Sequence, residues 1–169
     1  MNLENLDLVR KYSLEEIEND IANDKIYISE RLRKDKKQDY IELLKKQMEN
    51  GDVDGFCKSI RPLLADKYLS KSGRILSVPS DAHLTLGEGE FNRFYIRGLC
   101  VYAIKQNIDY LQIYRSKSVT VSRFGSDEKI GQLISAKFAL SDLKNNVGVD
   151  TILGIPSGPN SGLSLRLQK

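Results

Sequence analysis

The chain has 169 residues, of which 40% are hydrophobic and 29% charged, with a net charge of +3. This length fits one domain, or one domain with an appendage, and the apolar share can fill a core without metal or disulfide staples. Cys57 and Cys100 lie in apolar stretches and are too few for a secreted disulfide scaffold, so we expect buried free thiols. No signal peptide is visible, and no apolar stretch approaches the roughly 20 residues of a membrane span. We therefore expect a protein of the cytoplasm, or of a virion, with no membrane partner.

The charge is unevenly distributed along the chain. Residues 1–70 carry 13 Lys and Arg against 15 Asp and Glu, whereas residues 71–169 carry 13 against 8. This basic excess in the second half permits an anionic partner without requiring one.

The first part of the chain is predicted to form helices. Ser13 and Glu16 have the spacing of a capping box, in which each side chain bonds the other residue's backbone N–H, so a helix is expected over 14–23. A second helix is expected over 29–50, because its apolar residues recur on one helical stripe. A third is expected over 54–60.

The second part mixes helices and strands. A long apolar stretch predicts a central helix over Phe91–Asn107, buried on most sides. Ser135 is a suitable N-cap for another helix over Ala136–Asn145. Strands are expected at 74–78, at Tyr110–Arg115, around Val119 and Val121, at Asp150–Ile155 and at Leu163–Leu167.

This order of elements predicts an α+β protein. A helical N-terminal region, 1–72, is followed by an α+β core domain, 73–169. In that domain a small, mostly antiparallel sheet is expected to pack on the central helix.

The sequence offers little for catalysis or for metal and cofactor binding. One histidine and two separated cysteines cannot supply a zinc site, and a Walker A loop is absent. An all-carboxylate magnesium site stays open, but no paired-acid motif points to it, so we expect no metal and no cofactor. The remaining candidates are His83, as a general acid or base, with Glu88 or Glu90 beside it. No nucleophile motif accompanies them, so an ordinary loop histidine is the favoured interpretation. The two glutamates are expected to complement the N-terminus of the central helix, where negative charge is stabilising.

Arginines and tyrosines are the more suggestive binding residues. Guanidinium groups interleaved with aromatic rings are typical of phosphate contacts and base stacking, and also of protein interfaces. Internal salt bridges are an equally good explanation. The candidates are Arg93, Arg97, Arg115, Arg123, Arg166, Tyr95 and Tyr114.

A loop of turn-forming residues precedes the last predicted strand. Such a run can present several backbone N–H groups to an anion or a carbonyl, or it can simply be a hairpin tip. Its candidate binding residues are Ser157, Gly158, Asn160, Ser161 and Gly162.

Two segments carry a resemblance to a known family. They read TLGEGEFNRFYIRGLC at Thr85–Cys100 and GPNSGLSLRL at Gly158–Leu167, with Tyr114 and Arg115 between them. Together they resemble an uncharacterised family of small proteins in bacterial, phage and prophage genomes, associated with virion-gene neighbourhoods. The resemblance covers about residues 84–168 and implies no catalytic residue.

Three hypotheses follow. The first is a non-enzymatic structural or protein-interaction protein, encoded by a phage, prophage or mobile element as a virion or assembly component, which binds a protein partner or itself. The second is a nucleic-acid-binding protein, which requires the arginines to converge on one exposed surface. The third is a nuclease or transferase acting on a phosphorylated substrate, which requires His83 to lie within hydrogen-bonding reach of a carboxylate. We favour the first.

Overall fold

The computed structural model describes residues 1–70, 72–118, 125–149, 153 and 162–168. Five helices lie in these ranges: α1 Leu6–Ala22, α2 Lys37–Asn50, α3 Val53–Ile60, α4 Ala82–Lys105 and α5 Ala136–Asn145. Five strands accompany them: β1 Lys67–Leu69, β2 Ile75–Ser77, β3 Tyr110–Arg115, β4 Leu133–Ser135 and β5 Leu163–Arg166. The predicted α+β class is confirmed. None of the helices in the described ranges combines the length and apolar character that a bilayer span needs.

The strands form two small antiparallel sheets. β1 and β2 make a hairpin in which Leu69 faces Ile75 across the two strands. The other sheet has the order β4-β3-β5, with both neighbours antiparallel to β3. Its inner face, which includes Leu111, Ile113 and Leu165, joins the hydrophobic core beside α4. The predicted antiparallel sheet on a central helix is therefore confirmed.

The central helix α4 is buried along most of its length, and α1, α3 and α5 all pack against it. The sequence predicted that this helix begins at Phe91, but in the structure it begins at Ala82. Gly87 lies inside the helix because α3 comes close there: a Cβ at Gly87 would lie 2.5 Å from the Cys57 Sγ. The prediction that Glu88 and Glu90 complement the helix N-terminus is therefore wrong, since both lie in its interior.

Helix α1 is longer than the sequence predicted. It runs from Leu6, so Ser13 is an interior residue rather than an N-cap, and its hydroxyl donates to the Val9 carbonyl at 3.1 Å. Ser13 is buried where α1 meets α4, opposite Gly98. Two small residues at a helix crossing permit close approach of the backbones. Ser13 therefore serves as a small packing residue and does not cap the helix.

Helix α2 is shorter than predicted at its start. It begins at Lys37, after a short 3-10 turn at Lys34–Lys36. Before that turn the chain pairs with the segment preceding β1, through an isolated bridge between Leu32 and Leu64. Tertiary pairing thus takes residues that helical periodicity had assigned to α2.

Several predicted elements are confirmed with small shifts. The third helix, the strand at 74–78 and the strand beginning at Tyr110 are present, as is the last strand as far as Arg166. Ser135 caps α5, since its hydroxyl accepts from the Phe138 N–H. The strands predicted around Val119 and Val121 and at Asp150–Ile155 lie outside the described residues, apart from Leu153.

The N-terminal region and the following residues share one hydrophobic cluster. Ile17 of α1, Leu44 of α2 and Phe56 of α3 belong to the same cluster as Leu99 of α4 and Leu165 of β5. The boundary predicted between 1–72 and 73–169 stays a prediction.

The α1–α4 crossing makes a testable prediction about Gly98. A Cβ there would lie 2.6 Å from the Ser13 backbone nitrogen, and a helix backbone cannot yield cheaply. Gly98→Ala should therefore lower the free energy of unfolding, measured by urea denaturation, by about 3 kcal/mol. The control Lys11→Ala, on the exposed face of α1, should change it by less than about 0.5 kcal/mol. Equal stability of the two variants would contradict this account of the crossing.

Candidate functional site

Arg93 holds the end of a helix. Its guanidinium donates to the carbonyls of Leu143 at 2.8 Å, Asn146 at 2.6 Å and Val149 at 3.0 Å. These groups follow or end α5, where helix carbonyls lack intrahelical partners. The buried Arg93 side chain therefore satisfies the C-terminus of α5 and is turned away from solvent.

Arg97 joins α4 to α1. Its fully buried guanidinium donates to the Glu16 carboxylate at 2.7 Å and to the Asp20 carboxylate at 2.6 Å. Lys144 adds a second cation, 2.9 Å from Glu16. Charge-assisted bonds of this length, made through a forked donor, are strong and directional. The sequence left several roles open for the arginines, and Arg97 forms internal salt bridges.

Arg166, Tyr95 and Tyr114 fasten the start of the chain to the sheet. Arg166 donates to the Glu4 carboxylate at 2.7 Å, and its guanidinium lies 5.3 Å from the centre of the Tyr114 ring. The Tyr114 hydroxyl donates to the Asn2 carbonyl at 2.8 Å and accepts from the Glu4 N–H. The Tyr95 hydroxyl contacts the carbonyls of Glu4 and Leu165.

Tyr95 and its neighbour Asn92 also cover the outer edge of β5. The Asn92 amide donates to the Leu163 carbonyl at 2.9 Å and accepts from the Ser164 hydroxyl at 2.6 Å. An uncovered strand edge invites pairing with other chains. Helix α4 therefore covers the β5 edge of the sheet with polar side chains.

The candidate arginines do not form one exposed surface. Arg93 and Arg97 are buried, Arg115 pairs with Asp127 at 2.6 Å, and Arg166 pairs with Glu4. Arg123 lies outside the described residues. The convergence that nucleic-acid binding requires is absent from the described members of the set.

The candidate catalytic residues are not assembled either. His83 lies half-buried in the first turn of α4, and its imidazole has no hydrogen bond or ion pair with any described residue. Glu88 instead pairs with Lys117 at 2.6 Å. Both cysteines are free and buried, and burial raises the pKa of each thiol to about 12, with Glu88 acting in the same direction on Cys57. Neither thiol is a ready nucleophile, since the thiolate is the reactive form.

The turn-rich loop is described only at its last residue, Gly162. Its backbone is left-handed, with φ of 74°, and its carbonyl accepts from Ser116 and Lys117. The Gly162 carbonyl thus connects the residue before β5 to the two residues that follow β3. Ser157, Gly158, Asn160 and Ser161 lie outside the described residues, and anion binding by that loop stays a prediction.

A cavity of about 400 Å³ lies between the first half of α4, the segment 27–31 and the β1–β2 hairpin. Its walls include Tyr27, Arg31, Tyr68 and Glu90. Gly148, with φ of 74°, closes one side, and it leaves no room for a Cβ, which would lie 2.5 Å from the Tyr27 ring. The sequence missed this cavity because four separate segments build it.

Glu90 is the buried ionisable group of the cavity wall. Burial raises the pKa of its carboxyl above the ordinary value of 4.5, and Asp20 acts in the same direction, while Arg93 and Arg97 oppose the shift. The neighbouring Tyr40 hydroxyl is buried with no hydrogen-bond partner among the described residues. Burial also raises the Tyr40 pKa, and Glu90 and Tyr27 raise it further.

Two apolar surfaces are exposed elsewhere. On the hairpin, Leu69 is 62% exposed and its cross-strand partner Ile75 is 72% exposed. At one end of the three-stranded sheet, Tyr110 and Leu133 lie exposed on the same face, and Phe138 is exposed in the first turn of α5. We call the first the hairpin surface and the second the sheet-end surface.

Comparison with known proteins gives no match: no family model, no curated protein and no solved structure is similar to this chain. Within the described ranges, no group of three or more His, Cys, Asp or Glu side chains is placed to hold a metal ion. The resemblance to a phage and prophage family therefore stays an expectation.

The buried ion pairs of Arg97 make a prediction about stability. Arg97→Met would leave Glu16 and Asp20 buried without their main partner. The free energy of unfolding, measured by urea denaturation, should therefore fall by about 3–5 kcal/mol. The matched control is Arg115→Met, whose partner Asp127 is largely exposed, and it should cost less than about 1 kcal/mol. Similar losses in the two variants would contradict the assigned role of Arg97.

Glu90 makes a prediction about pH. Because its pKa is raised in the native state, the native protein holds this proton more tightly than the unfolded chain. The resulting stability is fully present below pH 4.5 and is lost as pH rises through the folded pKa. The free energy of unfolding of the wild type, minus that of Glu90→Gln, should therefore fall as pH rises above 4.5. Urea denaturation at a series of pH values measures this difference, and a constant difference would contradict the raised pKa.

Proposed function

We propose that this chain is a non-enzymatic interaction protein that associates with further copies of itself through the hairpin surface. The observation that carries this proposal is the exposed cross-strand pair Leu69 and Ile75, neither of which belongs to the hydrophobic core cluster. Burying such side chains in a contact with another protein would be favourable, at about 25 cal/mol per Å² of apolar surface.

The hairpin itself gains from being covered. Two short strands on their own are marginally stable in water, and three or more strands or a packed helix are normally needed. Each strand of this hairpin has three residues. A docked partner would supply the missing packing, which supports a role in association rather than in catalysis.

We place a second copy of the chain against the hairpin surface. The sheet-end surface supplies exposed apolar side chains of its own, Tyr110, Leu133 and Phe138, against which Leu69 and Ile75 would pack. In this arrangement the hairpin of one copy contacts the sheet-end surface of the next.

A contact between two different surfaces is heterologous, and it generates a ring or a filament. Such an assembly suits a virion or assembly component, as the resemblance to phage and prophage proteins implies. Nucleic-acid binding and phosphate chemistry have less support, because the candidate arginines that the structure describes are paired internally and His83 has no carboxylate partner among the described residues.

Size-exclusion chromatography with light scattering tests the proposal. The wild type should form oligomers whose mass rises with concentration, and Leu69→Asp/Ile75→Asp should remain a monomer, because charge at the hairpin surface cannot be buried cheaply. Leu84→Asp is the matched control: Leu84 is 40% exposed but belongs to neither surface, so this variant should assemble like the wild type.

The reciprocal variant Leu133→Asp should also be monomeric, since it alters the other half of the same contact. A wild type that stays monomeric at every concentration would overturn the proposal. A monomer that binds a mixed DNA and RNA pool at low salt and releases it at high salt would instead favour the nucleic-acid hypothesis.

A further inference from the structure

The cavity beside Glu90 has the size of a small-molecule site and contains groups of opposite charge. Its volume of about 400 Å³ falls within the usual range for ligand pockets, roughly 300–1,000 Å³. Glu90 and Arg31 both line it, together with the aromatic rings of Tyr27 and Tyr68. It is separate from the outer face of the hairpin, so a ligand here would not depend on self-association.

Glu90 is only loosely paired. Its carboxylate lies 3.4 Å from the Arg93 Nε, longer than the roughly 2.7–2.9 Å of a good charge-assisted hydrogen bond. The other two nitrogens of the Arg93 guanidinium are bonded to carbonyls at the end of α5. The Glu90 carboxylate therefore keeps acceptor capacity, although it is 95% removed from solvent.

Arg31 is the complementary cation. Its guanidinium carbon lies 5.4 Å from the centre of the Tyr68 ring, and it has no hydrogen bond or ion pair through its side chain among the described residues. Its backbone is fixed, because the Arg31 carbonyl accepts from Ala65 N at 2.9 Å. The cavity thus has a cation that stacks on one of its aromatic rings and whose donors bond to no described residue.

We propose that this cavity binds a small amphoteric molecule, whose N–H donors contact the Glu90 carboxylate and whose anionic group contacts the Arg31 guanidinium. A purely anionic ligand would be repelled by Glu90, and a purely cationic one would leave the Arg31 guanidinium without an anionic partner. Amino acids and related zwitterions are the simplest members of the class. The Tyr27 and Tyr68 rings supply faces on which a cationic group or a carbon chain can pack.

Occupation should change the protonation of Glu90. The charged and titratable groups around its carboxyl are Arg93 and Arg97 of α4, Asp20 of α1 and Tyr40 of α2. A bound ammonium group would stabilise the carboxylate against the desolvation that raises its pKa. Zwitterion binding therefore lowers the Glu90 pKa and releases protons.

Titration calorimetry and two-dimensional NMR test the site with a graded set of probes. The zwitterions are glycine, β-alanine, γ-aminobutyrate and ε-aminocaproate, which differ in the separation of their charges. The single-charge comparisons are butyrate and n-butylamine. At least one zwitterion should bind, and it should bind about tenfold or more tightly than either single-charge probe.

Three variants locate the binding. Glu90→Gln and Arg31→Gln should each weaken the best zwitterion about tenfold or more, because each removes one charged contact and preserves the approximate shape. Glu49→Gln is the matched control, since Glu49 is an exposed glutamate of α2 that does not line the cavity, and this variant should bind like the wild type. Circular dichroism and thermal unfolding establish that each variant is folded.

A measurement on the unaltered protein removes any dependence on the folding of the variants. The ¹³C shift of the Glu90 carboxyl carbon, followed against pH, should give a lower pKa in the presence of the best zwitterion and an unchanged one with butyrate. The proposal is overturned if no zwitterion binds, if butyrate binds as tightly as the best zwitterion, or if Glu90→Gln is folded and retains full affinity.

Discussion

The buried contact between α1 and α4 fixes the position of the central helix, against which α3, α5 and the three-stranded sheet pack. Gly98 and Ser13 let the two backbones approach, and beside them Arg97 bonds Glu16 and Asp20. The small residues set the distance between the helices, whereas the ion pairs set their register, because a forked guanidinium bonds both carboxylates in few geometries. Buried charges are costly unless fully paired, so the network strongly disfavours alternative packings of the two helices.

Once α4 is fixed, its polar residues position the other elements. Arg93 satisfies the end of α5, and Asn92 and Tyr95 cover the outer edge of β5. These residues lie in one stretch of a helix that is buried on most sides, so their side chains radiate toward different neighbours. The concentration of arginine and tyrosine in the GEFNRFYIR segment therefore has an internal, architectural explanation, and it need not reflect an exposed binding surface.

The strand β1 connects the two proposed functional surfaces. Successive side chains of a strand point to opposite faces, so Tyr68 and Ser70 border the cavity while Leu69 points outward. One short hairpin can therefore contribute a wall to a ligand cavity and an apolar pair to a protein contact. Because it lacks a layer of its own to pack on, a ligand beneath it and a partner above it would both add packing to the same element.

Local patterns in the sequence were enough to predict the α+β class, the central helix, the antiparallel strands around Tyr110 and Leu163, the Ser135 cap and the buried cysteines, because periodicity and capping are local signals. It failed where a distant contact decided the outcome. Ser13 has the pattern of an N-cap, yet α4 uses it as a small packing residue, and residues 29–33 pair with a segment near Leu64 instead of extending α2. The burial of Arg97 and the placing of Glu90 and Arg31 on the walls of one cavity follow from tertiary contacts. Ion pairs and cavity walls join residues far apart in the chain, and no local pattern records which of them will meet.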